Sequence, residues 1–133
     1  MASPEEFVKN AIEARDSKRI QRDKGSKAIQ ALRGVLRTRI DEMNVERKRE
    51  IGRIDLENVK ELRIIREHPN PVYDCVGQLE EEKAKAISVT FRKKNMELDQ
   101  WVTVKERLWD LELDVNHIAG QMLQEFVLML REG

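Results

Sequence analysis

The sequence predicts an all-α protein: a basic N-terminal helical arm, a long helix and a C-terminal helical bundle, assembling with other subunits. Three observations predict it. Charged residues make up 38% of the chain and aromatic residues 5%, a composition of helices rather than of β-sandwiches. Six Gly and three Pro leave few helix breakers. From Ser26 to about Glu67 the positions Ile29, Leu32, Leu36, Ile40, Met43, Arg47, Ile51, Ile54, Asn58, Leu62 and Ile65 step by 3, 4 and 4 residues, three times over. That eleven-residue repeat is about 3.67 residues per turn, close to a straight α-helix. At 1.5 Å per residue the helix would span about 60 Å. A small globule cannot cover that length, so helices of other chains are expected alongside it.

The elements follow in order. Ser3-Pro4-Glu5-Glu6 is a helix start, with Ser3 as cap, Pro4 in the first turn and Glu6 closing a capping box. The first helix is expected to run to about Asp23. Gly25-Ser26 then reads as a turn, Gly25 ending one helix and Ser26 capping the next, which makes a basic helical hairpin. Ala28, Ala31 and Gly34 are small enough to let another backbone close in. Arg47 and Asn58 sit on the apolar seam of the long helix, either fixing register or solvated where a partner departs. His68-Pro69-Asn70-Pro71 is the clearest boundary, because each proline disfavours helix in the residue before it. A further helix is expected from Pro71 to Ala86.

Residues 87–104 are open to two readings. Ile87-Ser88-Val89-Thr90-Phe91 and Trp101-Val102-Thr103-Val104 are rich in β-formers and suit a hairpin around Asn95. A lone hairpin is marginal and its flanks read as helix, so helix with a break near Arg92–Asn95 is preferred. From Leu98 to Leu130 helical spacing returns. The stretch from Ile118 to Leu130 is apolar on nearly every side and must be buried all round. Another subunit is the expected cover, through Leu111, Val115, Ile118, Met122, Phe126, Met129 and Leu130, with Gly120 marking a close crossing.

The formal net charge is zero, but it is unevenly spread. Residues 8–39 hold ten Lys or Arg and three Asp or Glu, whereas residues 54–133 hold eleven basic and sixteen acidic residues. A basic end points to a polyanion. The division is therefore a DNA-wrapping arm, residues 1–45, and a bundle for assembly, residues 46–133. The candidate nucleic-acid contacts are Lys9, Arg15, Lys18, Arg19, Arg22, Lys24, Lys27, Arg33, Arg37 and Arg39. No aromatic residue is interleaved with them, which suits backbone tracking of a duplex better than base stacking on a single strand. The bland alternative is a solvated charged face.

Signatures of catalysis are missing: no phosphate loop, no Cys/His metal spacing and no nucleophile elbow. Asp114 and His117 stand three apart, most simply for a local hydrogen bond, and no cofactor, metal or small-molecule substrate is implied. The single Cys75 excludes an internal disulfide and suits a core position. The acidic start is unlike a signal peptide, and no run of eighteen apolar residues offers a membrane span.

The basic arm, Lys9 to Arg39, and the apolar C-terminal stretch, Leu98 to Leu130, together resemble the major coat proteins of filamentous and rod-shaped archaeal viruses with double-stranded DNA. The resemblance is one of architecture and rests on no short motif. It implies a wholly helical fold, an arm wrapping A-form duplex DNA, and a shell of C-terminal helices. The uninterrupted eleven-residue repeat departs from it unless the helix bends near Glu46–Glu50. The function so implied is a virion coat protein, made in the host cytoplasm, that wraps double-stranded DNA through its phosphates. It would polymerise into a filament with copies of itself or a paralogous coat subunit. Two alternatives stand beside it: a helical interaction module without nucleic acid, and a small nucleoid-type DNA-binding dimer.

Overall fold

A computed structural model describes residues 4–55, 61–80 and 85–132, with side chains at all of these except positions 4–7, 10, 14, 16–18, 21, 22 and 132. The chain is not all-α. One long helix, α1 (Pro4–Arg47), leads into β1 (Arg53–Ile54), β2 (Leu62–Arg66), β3 (Tyr73–Leu79), β4 (Ala86–Asn95) and β5 (Gln100–Asp110), and α2 (Val115–Glu132) closes the chain. The five strands form one antiparallel sheet in sequence order. The architecture on which the coat-protein resemblance was drawn is therefore not the one this chain adopts.

α1 is a single helix of 44 residues, about 66 Å long. The turn expected at Gly25-Ser26 is not made. One interior glycine costs a helix only about 1 kcal/mol, too little to break forty other helical residues. Gly25 is buried one turn ahead of Ile29 and faces inward. Gly34, by contrast, has open space where a Cβ would stand, so it brings no backbone close.

The apolar repeat holds for part of its length. Ile29, Leu32, Leu36 and Ile40 are buried and Met43 packs against the same core. The helix then stops at Arg47, and Lys48 takes a left-handed φ of 54°. Asn44 secures the reversal: its Oδ1 accepts the Ile51 N–H at 2.7 Å and its Nδ2 donates to the Gly52 carbonyl at 3.2 Å. Gly52 is needed there, because a Cβ would stand 3.2 Å from both Ile64 and Phe126. Ile51, Ile54, Leu62 and Ile65 are buried as the repeat implied, but in strands and the loop before them. Asn58 lies outside the described residues.

His68-Pro69-Asn70-Pro71 does divide two elements, and they are strands: β2 and β3 meet there through two cis prolyl bonds. The helix expected from Pro71 to Ala86 is instead β3, and positions 81–84 of that expectation lie outside the described residues. Within 87–104 the hairpin is what forms. Ile87, Val89 and Phe91 are buried while Ser88 is exposed and Thr90 half-buried, a period of two. The hairpin does not stand alone, because β4 also pairs along β3. Asn95 Oδ1 accepts the N–H groups of Glu97 and Leu98, and Asp99 adopts a φ of 51° to turn the chain. An extra residue in β5, between the pairs Phe91–Lys105 and Arg92–Thr103, makes a bulge.

α2 begins on an N-cap. Asp114 Oδ1 accepts the Asn116 N–H at 2.8 Å, so this carboxylate serves the helix start rather than the His117 ring. Ile118, Met122, Phe126 and Met129 are buried, and Leu111, Val115 and Leu130 pack against the same cluster. Their cover comes from this chain, since α1 and one sheet face supply the opposing apolar surface. Truncating the fully buried Phe126 alone would cost about 3–5 kcal/mol. The boundary drawn at residue 45 falls within the last turn of α1.

Candidate nucleic-acid interface

The helical period of α1 decides which charges stand together. Eighteen residues make five full turns of about 27 Å. Arg15 and Arg19 are therefore repeated, on the same side of the helix, by Arg33 and Arg37. Lys9 and Lys27 share a second ridge by the same spacing. Lys9, Arg15, Arg19, Lys24, Lys27 and Arg37 are exposed. The eighteen-residue repeat was hidden by the expectation of a turn at Gly25.

The other members of the expected set behave differently. Arg33 is half-buried and donates to the Glu61 carbonyl at 2.8 Å, so it anchors the helix to the sheet. Arg39 lies in the seam between the helices: its Nη1 is 3.2 Å from where a Cβ on Gly120 would stand. It is withdrawn from the arm's surface, and Gly120 makes room for it. The side chains of Lys18 and Arg22 lie outside the described ones. Arg37 reaches the rim of a polar cleft of about 600 Å³, lined also by Asp41, Arg53, Asp55, Arg63 and Glu67.

Cations on the sheet are handled in another way. Arg53 pairs with Glu67, Arg63 with Asp55 and Asp74, Arg92 with Asp74, Lys94 with Asp99, and Lys105 and Arg107 with Glu125. The remaining two strand cations, Arg66 and Lys93, stand over the Tyr73 ring at 5.0 and 6.0 Å. None of the seven exposed cations on α1 (the six above and Arg47) forms an ion pair among the described residues. Exposed cations without an ion pair among the described residues thus run along the arm, and Lys48, Arg49, Lys85 and Arg131 are others elsewhere.

A second cluster escaped the sequence altogether. Asp74 is fully buried. It accepts from Arg63 Nε at 3.0 Å, from Arg92 Nε at 2.9 Å and from Arg92 Nη2 at 2.5 Å. The Trp101 ring lies 4.8 Å from the Arg92 guanidinium and 5.7 Å from that of Arg63. Arg63, Asp74 and Arg92 are far apart in sequence and meet only through strand register, so no local signal could have found them. Among the described residues no group of three His, Cys, Asp or Glu could hold a metal ion.

The geometry defines a class: an α+β chain whose meander sheet is packed on one face by two helices, one of which extends as a cationic arm. Comparison with family models, with curated proteins and with solved structures returned no match.

Proposed function

We propose that the chain is a structural nucleic-acid-binding protein whose arm tracks the phosphates of duplex DNA without reading bases. One observation carries this reading. The strand cations are neutralised within the fold or seated on Tyr73, while Lys9, Arg15, Arg19, Lys24, Lys27 and Arg37 of α1 are exposed and form no ion pair among the described residues. Arginine is suited to the task, because its planar guanidinium forks onto two phosphate oxygens. A duplex suits the arm better than a single strand, since no aromatic residue lies between Lys9 and Arg37 to stack on bases.

The test is a fluorescence-anisotropy titration of short duplexes of unrelated sequence across a range of salt. Contacts from four or five cations give a slope of log K against log salt of about −4, equal for every sequence. Arg15→Glu with Arg19→Glu is expected to lower that slope by about 2 units. A binding constant flat between low and moderate salt refutes the reading.

A second reading has its own observation. Val8, Ile12 and Ile20 are exposed on the same arm, and phosphates make no use of apolar side chains. A protein-interaction role for the arm accounts for them. It predicts unchanged duplex mobility and binding that survives high salt.

A further inference from the structure

The sheet ends differently at its two edges. β1 is two residues long, whereas β5 presents eleven with no strand beyond it among the described residues. Such an edge leaves a row of backbone N–H and C=O groups open to another strand. Val102, Val104 and Leu108 are 53%, 49% and 64% exposed along it, with the charged run Lys105-Glu106-Arg107 between them. We propose that β5 pairs antiparallel with β5 of a second copy, about a two-fold axis between Val104 and Lys105, joining two sheets into one.

Charge and face parity favour that register over axes at the neighbouring Lys105 and Glu106. Residues opposed across antiparallel strands must lie on the same face. In a regular strand this allows only axes that pass through a residue and set it against itself. An axis through Lys105 opposes two lysines. One through Glu106 opposes two glutamates and sets Lys105 against Arg107. The bulge opens another possibility, because the alternation of faces shifts by one residue at Val104. Val102 opposes Lys93 and Lys105 opposes the buried Phe91, so with Thr103 on the other face Val104 lies on the helix side of the sheet, as Lys105 does in pairing with Glu125 of α2.

With the axis between Val104 and Lys105, Trp101 opposes Leu108 and Thr103 opposes Glu106 on the polar face. On the helix side Val102 opposes Arg107 and Val104 opposes Lys105. From Gln100 to Trp109 every pair keeps to one face, no like charges stand directly opposite, and the exposed Leu108 gains an aromatic neighbour, while Asp110 at the strand end falls opposite Asp99 of the turn. The strand that meets these conditions is a second β5. Since β1 offers no comparable edge, the assembly closes at two copies instead of growing.

Sedimentation or light scattering across a concentration series of the full chain tests this, with a doubling of the 15.6 kDa mass as the expected result. Thr103→Glu places like charges opposite Glu106 twice and is expected to weaken the dimer at least tenfold. Thr103→Lys, at the same exposed position, is expected to preserve or tighten it. Circular dichroism and melting of both variants verify that the fold is kept. A Thr103→Cys, Glu106→Cys double variant is expected to give a covalent dimer on oxidation, whereas Thr103→Cys with Leu108→Cys is not; Cys75 is buried and does not compete. A chain monomeric at every concentration, or one that is monomeric yet captures extended peptides, overturns the proposal. So do equal responses to the two Thr103 substitutions, or cross-linking through position 108.

Discussion

Asp74→Asn keeps the shape of the side chain and removes its charge, which leaves Arg63 and Arg92 facing an amide. Removing one partner of a buried ion pair costs roughly 3–5 kcal/mol. Here the arginine side chains retain 23% and 28% exposure, and Arg63 keeps Asp55 at 3.4 Å. Solvent and Asp55 therefore offset part of the loss, and about 2–3 kcal/mol is expected. For a chain of this length each kcal/mol moves the melting temperature by roughly 3–5 °C, so a fall of roughly 6–15 °C follows. Urea denaturation at neutral pH, followed by circular dichroism, measures the free energy, and calorimetry the temperature. A double-mutant cycle with Arg92→Gln isolates the pair, with a coupling of at least about 1 kcal/mol expected. A loss below about 0.5 kcal/mol, or strict additivity, refutes the view that this carboxylate ties three strands together.

Further outcomes follow from other sites. Gly52→Ala is expected to lower stability by about 1–3 kcal/mol, because its Cβ would press on Ile64 and Phe126 at 3.2 Å; unchanged urea midpoints contradict this. Lys105, first by its hydrogen bond and then by its charge, holds the Glu125 carboxyl below its ordinary range, with Arg107 assisting. A depressed carboxyl contributes stability above its unfolded pKa, about 4.3, and loses it as pH falls through the lower folded value. The stability gap between the parent chain and Glu125→Gln should thus be full near pH 6 and shrink below about pH 4, as thermal melts across pH will show. Burial, and secondarily the charge of Asp74, pushes the Cys75 thiol well above its usual range. Alkylation of Cys75 is expected to be negligible in the native chain and rapid in urea, as mass spectrometry can follow.

The helical elements were partly legible because helical periodicity is local. The face Ile29, Leu32, Leu36, Ile40 and the stripe Ile118, Met122, Phe126, Met129 are both found where their spacing put them. The strands were not legible, for two reasons. Ile51, Ile54, Leu62 and Ile65 continue a helical step by coincidence, while Asn44 and Gly52 turn the chain against it. The alternation Ile87, Val89, Phe91 was visible, but the stability of a hairpin depends on a third strand, and β3 carries Tyr73, Asp74 and Cys75 buried in a row. The cationic surface was legible as composition. Which of its members face solvent was not, because Arg33 and Arg39 are drawn inward by Glu61 and by the space beside Gly120.

The unbroken passage of α1 through Gly25 has a mechanical consequence. A hairpin there would have let the two ends of the molecule swing independently. A rod that runs from its tip into the hydrophobic interior acts as a lever instead, so whatever the tip grasps is held at a set angle to the sheet. A load applied near Lys9 would be felt as torque at Leu36, and a kink engineered at position 25 would uncouple grip from orientation while leaving both ends folded.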